Sequence, residues 1–154
     1  MVKPSIPERR RRLHPAAAPL ALGVLGLLGA VVVHVVDPNV PGRYPVCPWL
    51  TVTGTYCPGC GTTRALHALT YFDIVGAAQM NLLLLAVLPF LAFAYVRWVY
   101  RSFRPPPTPP APPAPLHPFW TWALPGAILV FWVVRNLPFA TFLAPGGVPA
   151  PILS

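Results

Sequence analysis

The chain has 154 residues, of which 55% are hydrophobic and only 9% are charged, and its mean hydropathy is +0.60. A water-soluble domain is excluded, because its surface needs more charged side chains. The net charge of +8 comes from basic residues that flank apolar segments, which argues against a nucleic-acid partner. We therefore predict an all-α integral membrane protein with about three transmembrane helices and the lipid bilayer as its first partner.

The first predicted transmembrane helix spans residues 17–36 and follows a basic N-terminal segment, residues 1–16. About 20 apolar residues at 1.5 Å each cross roughly 30 Å of hydrocarbon. The helix ends in Val-Val-His-Val-Val-Asp-Pro without a signal-peptidase site, so we predict a retained anchor and not a signal peptide. Glycines on one side predict a close approach by a helix of a partner protein or of a second copy of the chain: Gly23, Gly26 and Gly29.

Two further transmembrane helices are predicted along the chain. The second spans residues 77–100 and contains Pro89, which predicts a kink. Residues 101–118 are first basic and then proline-rich, a composition typical of an extended linker. The third and shortest helix is predicted at residues 119–137, before a C-terminal tail at residues 138–154.

Basic residues are distributed unequally between the two sides of this arrangement. Eight lie on the side of the N-terminus: Lys3, Arg9, Arg10, Arg11, Arg12, Arg97, Arg101 and Arg104. Three lie on the other side: Arg43, Arg64 and Arg135. The positive-inside rule therefore predicts a cytoplasmic N-terminus and an extracytoplasmic loop at residues 37–76, where thiols can be oxidised.

The loop at residues 37–76 contains all three cysteines: Cys47, and Cys57 and Cys60 in the motif Cys-Pro-Gly-Cys-Gly. After this motif, residues 62–71 carry leucines at helical spacing, which predicts a short interfacial helix. Cys60 would then precede a helix N-terminus, whose positive end lowers the pKa of a thiol.

Three interpretations of the cysteines stay open. In the first, Cys57 and Cys60 are a redox pair with Cys47 as an exchanging thiol. In the second, the same three cysteines bind a metal ion such as zinc, with His67 as a fourth ligand. In the third, they are structural, as a disulfide or as buried thiols. Haem attachment is excluded, because the residue after Cys60 is Gly61 and not histidine.

Other polar residues are predicted at the same membrane depth as the cysteines: Arg64, Asp73, Asn81, Arg135 and Asn136. Ionisable side chains at membrane depth are candidates for a function, because burying them in lipid is costly. An ion pair between Arg64 and Asp73, or snorkelling to the interface, would account for them equally well. The sequence thus offers a candidate polar cluster beside the cysteine loop.

At these residues the chain resembles the bacterial family known as domain of unknown function 2752, small membrane proteins with a characteristic cysteine loop. The family often has proline where this chain has Leu82. The resemblance implies a bacterial inner-membrane location and a loop that belongs together with the Arg-Asn motif, and it implies no reaction. The matching residues are Cys47-Pro48, Leu50-Thr51, Thr53-Gly54, the stretch from Tyr56 to Ala65, Asp73, Asn81, Arg135-Asn136-Leu137-Pro138-Phe139 and Leu143-Ala144-Pro145.

No catalytic arrangement is visible in the sequence. Its only acidic residues are Glu8, Asp37 and Asp73, so there is no carboxylate pair, and there is no phosphate loop. We therefore claim no enzymatic activity from the sequence and predict a role as a membrane scaffold or assembly component. A thiol-disulfide component and a zinc-binding membrane module are the alternatives, and no cofactor other than zinc is expected.

Overall fold

A computed structural model describes residues 14–104 and 118–151, and these ranges contain helices and no strand. The predicted all-α class is confirmed for the described residues. The residues before 14, most of the proline-rich linker (105–117) and the last three residues lie outside them. The elements are α1 (Ala17–Val35), α2 (Pro48–Thr53), α3 (Thr62–Thr70), α4 (Ile74–Met80), α5 (Leu82–Phe103) and α6 (Pro118–Val134), followed by 3-10 turns at Thr141–Leu143 and Pro145–Gly147.

Two helices, α1 and α5, are long and apolar enough to cross a membrane. They have 19 and 22 residues, with hydropathies of 2.2 and 2.1 over their most apolar stretches. Only 6% of that stretch of α1 and none of that of α5 is buried within the chain. Core helices of soluble proteins bury their apolar side chains, whereas lipid-facing helices expose them. The two helices are therefore candidate membrane spans.

The third predicted span corresponds to α6, which has 17 residues and is apolar from Trp122 to Val134. At 1.5 Å per residue it is about 25 Å long, slightly less than the roughly 30 Å of a typical hydrocarbon core. Its last helical residue is Val134, so Arg135 lies just beyond the helix. A membrane crossing by α6 stays a prediction.

The apolar helix predicted from residue 77 begins instead at Leu82 and continues to Phe103. Residue 77 belongs to α4, which ends at Met80, and Asn81 is extended with φ −157° and ψ 94°. The Asn81 side chain accepts a hydrogen bond from the Leu84 amide and thereby caps α5. The asparagine thus separates two helices that hydropathy alone had merged.

Tyr95 joins α1 to α5. Its hydroxyl donates a hydrogen bond to the Pro19 carbonyl at 3.0 Å, and a Cβ atom at Gly23 would overlap that hydroxyl. Gly26 and Gly29 have no neighbour within 4 Å of an added Cβ. The three glycines are therefore not one groove: Gly23 packs within the chain, and docking of a partner helix at the other two stays a prediction.

Three helix ends meet at the cysteine loop. At the C-terminal end of α1, the Val33 carbonyl accepts a hydrogen bond from His67 of α3 at 2.7 Å. The N-terminal end of α5 reaches the loop through Asn81, and the C-terminal end of α6 reaches it through Arg135. The C-terminal ends of α1 and α6 and the N-terminal end of α5 therefore all contact residues of the loop.

Candidate functional site

Three thiols converge in the cysteine loop. The Sγ atom of Cys57 lies 3.4 Å from that of Cys60 and 3.7 Å from that of Cys47. All three sulfur atoms lie within 4.8 Å of one another, and each cysteine is a free thiol. Cys60 is buried, whereas Cys47 and Cys57 are half-buried. The cluster is therefore partly accessible from outside.

Local backbone structure places each sulfur. Cys47 directly precedes α2, and the turn from Cys57 to Cys60 is closed by a hydrogen bond from the Cys60 amide to the Cys57 carbonyl at 3.1 Å. Gly61 follows with φ +83°, and a Cβ atom there would overlap the Met80 carbonyl oxygen. Only glycine adopts this conformation without strain in so close a contact. The motif thus ends the turn sharply and begins α3.

Arg135 lies beneath the turn and is only 1% exposed. Its Nη1 donates hydrogen bonds to the carbonyls of Cys57 at 2.9 Å and Pro58 at 3.2 Å, and its Nη2 donates to the carbonyl of Cys60 at 3.2 Å. The guanidinium also lies over the Tyr56 ring, 5.8 Å from its centroid. One side chain from the end of α6 therefore binds the backbone of the whole cysteine turn.

The positive charge of Arg135 has no carboxylate partner within the described ranges. Asp37 lies 3.6 Å from a ring nitrogen of His67, and Asp73 caps α4 by accepting from the Gly76 amide at 2.8 Å. The Nε atom of Arg135 has no hydrogen-bond partner in the described part of the chain. Among the described residues, the guanidinium is therefore surrounded by three backbone carbonyls and by the rings of Tyr56 and Phe131.

Two asparagines complete the attachment of the loop. The Nδ2 of Asn81 donates to the carbonyl of Pro58 at 3.0 Å and lies 3.3 Å from that of Cys60. The Oδ1 of Asn136 accepts from the Tyr56 amide at 2.7 Å, and its Nδ2 donates to the Tyr56 carbonyl at 2.8 Å. The loop is thus bonded to α5 and to the residue pair after α6.

Of the five residues predicted as a polar cluster, the structure brings three together at the loop: Asn81, Arg135 and Asn136. Arg64 is exposed on α3, and Asp73 caps α4. Across residues 14–104 and 118–151, the contact found between a carboxylate and a basic side chain is that of Asp37 with His67, and none joins Arg64 to Asp73. A function of the five as one site stays a prediction.

His67, which the sequence offered as a fourth metal ligand, lies outside the group of three thiols. Its Nδ1 donates to the Val33 carbonyl and its Nε2 faces Asp37 at 3.6 Å. The ring also packs edge-on against Tyr71, with 5.0 Å between the centroids. Helix α3 therefore directs His67 towards the end of α1 and away from the cysteines.

The thiols of Cys60 and Cys47 differ in acidity. Burial raises the pKa of Cys60 to about 12, and the hydrogen bond with the Cys57 thiol adds to the effect. The prediction that the start of α3 lowers this pKa is wrong, because the loss of water around the buried thiol outweighs the helix. Burial also opposes ionisation of Cys47, but hydrogen bonding by the Leu50 amide and by the other thiols outweighs it and lowers the pKa of Cys47.

We expect the thiols of reduced, metal-free protein to be alkylated in a fixed order. Cys47 is half-buried and has the lowered pKa, so it should react first at about pH 7.5. Cys60 should react last, because it is buried and stays protonated far above that pH. Timed iodoacetamide labelling followed by peptide mass spectrometry measures the order. Equal rates at the two residues would contradict the expectation.

A cleft of about 270 Å³ opens beside the cluster. Its lining includes Cys47 and Cys60, and also Thr62, Thr63 and the exposed Arg64. Among the described residues, no carboxylate lines this cleft. An outside molecule can therefore approach two of the three sulfurs without meeting a negative side chain.

Fold and cluster together define a helical protein with a three-thiol centre at the junction of its long helices. Residues 47–95 match the model of a family described as protein of unknown function, DUF2752. The resemblance predicted from the sequence is confirmed over this range, which contains the cysteines and Asn81. Arg135 and Asn136 lie beyond the matched range, although both contact it. No curated protein and no solved structure matches the chain.

The sequence analysis missed two tyrosines, one that attaches the cysteine loop and one that joins two long helices. Tyr56 supplies both backbone groups to Asn136, and Tyr95 fixes α5 against α1. A tyrosine inside an apolar helix is a usable signal, because its hydroxyl needs a hydrogen-bond partner there. Tyr56 bonds to Asn136 through its backbone amide and carbonyl, which every residue except proline has, so its identity as a tyrosine does not predict these hydrogen bonds.

Proposed function

We propose that the chain is a multi-pass membrane protein whose cysteine loop binds one thiophilic metal ion, zinc by preference, through Cys47, Cys57 and Cys60. The distances between the sulfurs carry this proposal. Zinc–sulfur bonds of about 2.3 Å in a tetrahedron separate two sulfurs by roughly 3.8 Å. The separations of 3.4 and 3.7 Å are close to this value, and the third, between Cys47 and Cys60, is at most 4.8 Å, so a shift of about 1 Å or less brings the three sulfurs to zinc geometry.

Charge supports a metal–thiolate centre over the two other interpretations of the cysteines. Three thiolates around a divalent ion carry one net negative charge, which matches the single buried charge of Arg135. A disulfide with one thiol, or three thiols, would be neutral. The guanidinium would then have only carbonyl and aromatic neighbours to compensate it.

The role that we attach to this centre is structural. The loop joins the C-terminal ends of α1 and α6 to the N-terminal end of α5, so a metal that closes the loop would fix the three helices relative to each other. A scaffold or assembly component of the membrane, predicted first from the sequence, is compatible with such a centre.

Metal analysis of the full-length protein in detergent tests the proposal. We expect about one zinc ion per chain, lost in the variants Cys57→Ser and Cys60→Ser. His67→Ala is the matched control and should keep the metal, because its ring lies outside the cluster. A chelator without reductant should expose three alkylatable thiols. Protein that stays metal-free after reconstitution with zinc, with its thiols reduced, would overturn the proposal.

Thiol-disulfide exchange is the second candidate, favoured by the 3.4 Å contact between the sulfurs of Cys57 and Cys60. Loss of two electrons and two protons to an external disulfide would bond these sulfurs, and the Cys47 thiolate is placed to attack the bond. Oxidised protein would then show one alkylatable thiol, reductant would expose three, and a chelator would have no effect. That pattern would replace the metal proposal.

We also propose three membrane spans with the N-terminus in the cytoplasm of a bacterial cell and the cysteine loop outside. The exposed apolar surfaces of α1 and α5 support the first two spans, and the excess of basic residues on the N-terminal side supports the orientation. The third span is supported by the position of Arg135, which places the end of α6 at the loop.

Reporter fusions test this topology. Alkaline phosphatase fused after Ser154 should be active, because the enzyme folds only after export, whereas the same enzyme inserted at Thr108 should be inactive. A green fluorescent protein at the two positions should give the opposite pattern and serves as the control. Activity at Thr108 and not at Ser154 would place the cysteines in a reducing compartment and contradict the orientation.

A further inference from the structure

We propose that a small thiol bearing a carboxylate enters the cleft beside Cys47 and Cys60 and supplies the fourth ligand of the metal centre. This inference rests on the proposed function, since it requires the metal ion. The described residues supply three ligands, and a tetrahedral ion takes four. A zinc site with three protein ligands keeps its fourth position open to water or to another molecule.

The cleft has the size and position that such a ligand needs. Its volume of about 270 Å³ compares with roughly 30 Å³ for one water molecule in the liquid, so it has room for a molecule the size of an amino acid. Cys47 and Cys60 both line it, so the ion between their sulfurs faces the cleft. A ligand can therefore reach the metal without any rearrangement of the helices.

The walls of the cleft favour a negative group. The exposed Arg64 lines the cleft, and so do Thr62 and Thr63, which carry hydroxyl groups. These three residues form the start of α3, a helix of nine residues whose N-terminal end carries partial positive charge. Because Arg135 compensates the thiolate centre and does not line the cleft, Arg64 is available for the carboxylate of the ligand.

A thiol fits the open position better than an oxygen ligand, because a centre of three thiolates is soft and prefers sulfur. On binding, the sulfur of the ligand forms a bond to the metal and displaces the water there. The thiol proton leaves to the solvent, and no group is oxidised or reduced. The product is a thiolate held beside Cys47 and Cys60 with its carboxylate at Arg64.

Cobalt substitution provides the test, because sulfur-to-cobalt charge-transfer bands grow with the number of bound thiolates. We expect mercaptoacetate to strengthen these bands in the full-length protein. The variant Arg64→Gln should weaken mercaptoacetate binding about fivefold, the effect of a partly exposed ion pair, and should leave binding of the neutral 2-mercaptoethanol unchanged. Arg97→Gln, which removes an equal charge from an exposed position on α5, is the matched control and should change neither.

Three results would overturn the inference without contradicting the proposed metal site. Bands that do not respond to either thiol would show that the fourth position is closed. Bands that disappear would show that the thiol removes the metal. Equal mercaptoacetate binding by the parent and Arg64→Gln would show that the cleft does not recognise the carboxylate. Absence of any cobalt–thiolate band before thiol addition would instead overturn the proposed function itself.

Discussion

Replacing Arg135 by methionine is expected to disorder the cysteine loop and abolish metal binding. The substitution removes the donors that bind the carbonyls of Cys57, Pro58 and Cys60 beneath the turn. Each carbonyl keeps a second donor, the Cys60 amide for Cys57 and the Asn81 side chain for the other two. Hydrogen bonds from a charged donor contribute about 1.5–3 kcal/mol each, and removal of a buried charge returns part of this, so we expect a total loss of roughly 3–5 kcal/mol. Methionine has a similar length, so the loss reports charge and hydrogen bonds more than a cavity. Thermal unfolding followed by tryptophan fluorescence, together with metal content, measures the effect.

Two further variants separate the contributions of Arg135. Arg135→Lys keeps the charge, but one ammonium group cannot reproduce the guanidinium bonds to three carbonyls, so an intermediate loss is expected. Arg97→Met removes an exposed arginine and should leave both the unfolding temperature and the metal content unchanged. If Arg135→Met folded normally and kept its metal, the compensation of Arg135 by thiolates would be refuted.

Local signals were sufficient to predict α1 and α3 to within one residue at each end. The apolar run of α1 stops at Asp37-Pro38, which cannot continue an apolar helix, and α1 ends at Val35. The helix α3 was predicted at residues 62–71 and spans Thr62–Thr70, because Gly61 marks its start and Leu66 and Leu69 mark its apolar face. In both cases the decisive residues are neighbours in the sequence.

The contacts that assemble the site could not be predicted, because they join residues far apart in the chain. Arg135 is 75 to 78 positions from its carbonyl partners. A buried arginine predicts that partners exist, but carbonyl groups occur at every residue, so the sequence cannot say which ones bind. The direction of the His67 side chain could not be predicted either. Its spacing from Cys60 is compatible with a metal ligand, but the packing of α3 on α1 directs the ring to the Val33 carbonyl.

The prediction of a lowered pKa for Cys60 was wrong for a related reason. The position of this residue before a helix is visible in the sequence and favours a thiolate. The burial that opposes it arises from Tyr56 and from the distant Ala144 and Ala150, which pack with Cys60 in one apolar cluster. The desolvation of Cys60 therefore depends on the C-terminal segment, and it cannot be predicted from the residues around the motif.

Replacing Asn81 by aspartate is expected to detach the loop from α5 while keeping the helix cap. The two side chains have nearly the same shape, and the remaining oxygen can still accept from the Leu84 amide. The other atom changes from a donor to a charged acceptor that faces the carbonyls of Pro58 and Cys60, at a position only 2% exposed. Two lost hydrogen bonds and a buried negative charge cost about 3 kcal/mol or more, whereas a favourable charge at the start of α5 returns at most about 1 kcal/mol.

The loss of stability in Asn81→Asp should depend on pH, and this dependence separates it from a general packing defect. The unfolded chain exposes the carboxyl to water, where it ionises normally, whereas in the folded loop burial and the facing carbonyl oxygens disfavour the charged form. Arg135 binds the same two carbonyls and favours the charged form, but the proposed thiolate centre already offsets its charge, so we expect the pKa of the carboxyl to be raised in the zinc-bound protein. Stability should therefore be highest below the unfolded pKa and fall as pH rises through the folded pKa. Unfolding temperatures of both proteins between about pH 4 and 8 measure the effect. Gln79→Glu makes the same amide-to-carboxylate change at an exposed position of α4 and should show almost no loss. A difference between Asn81→Asp and the parent that stays constant with pH would show that the amide does not donate to the loop.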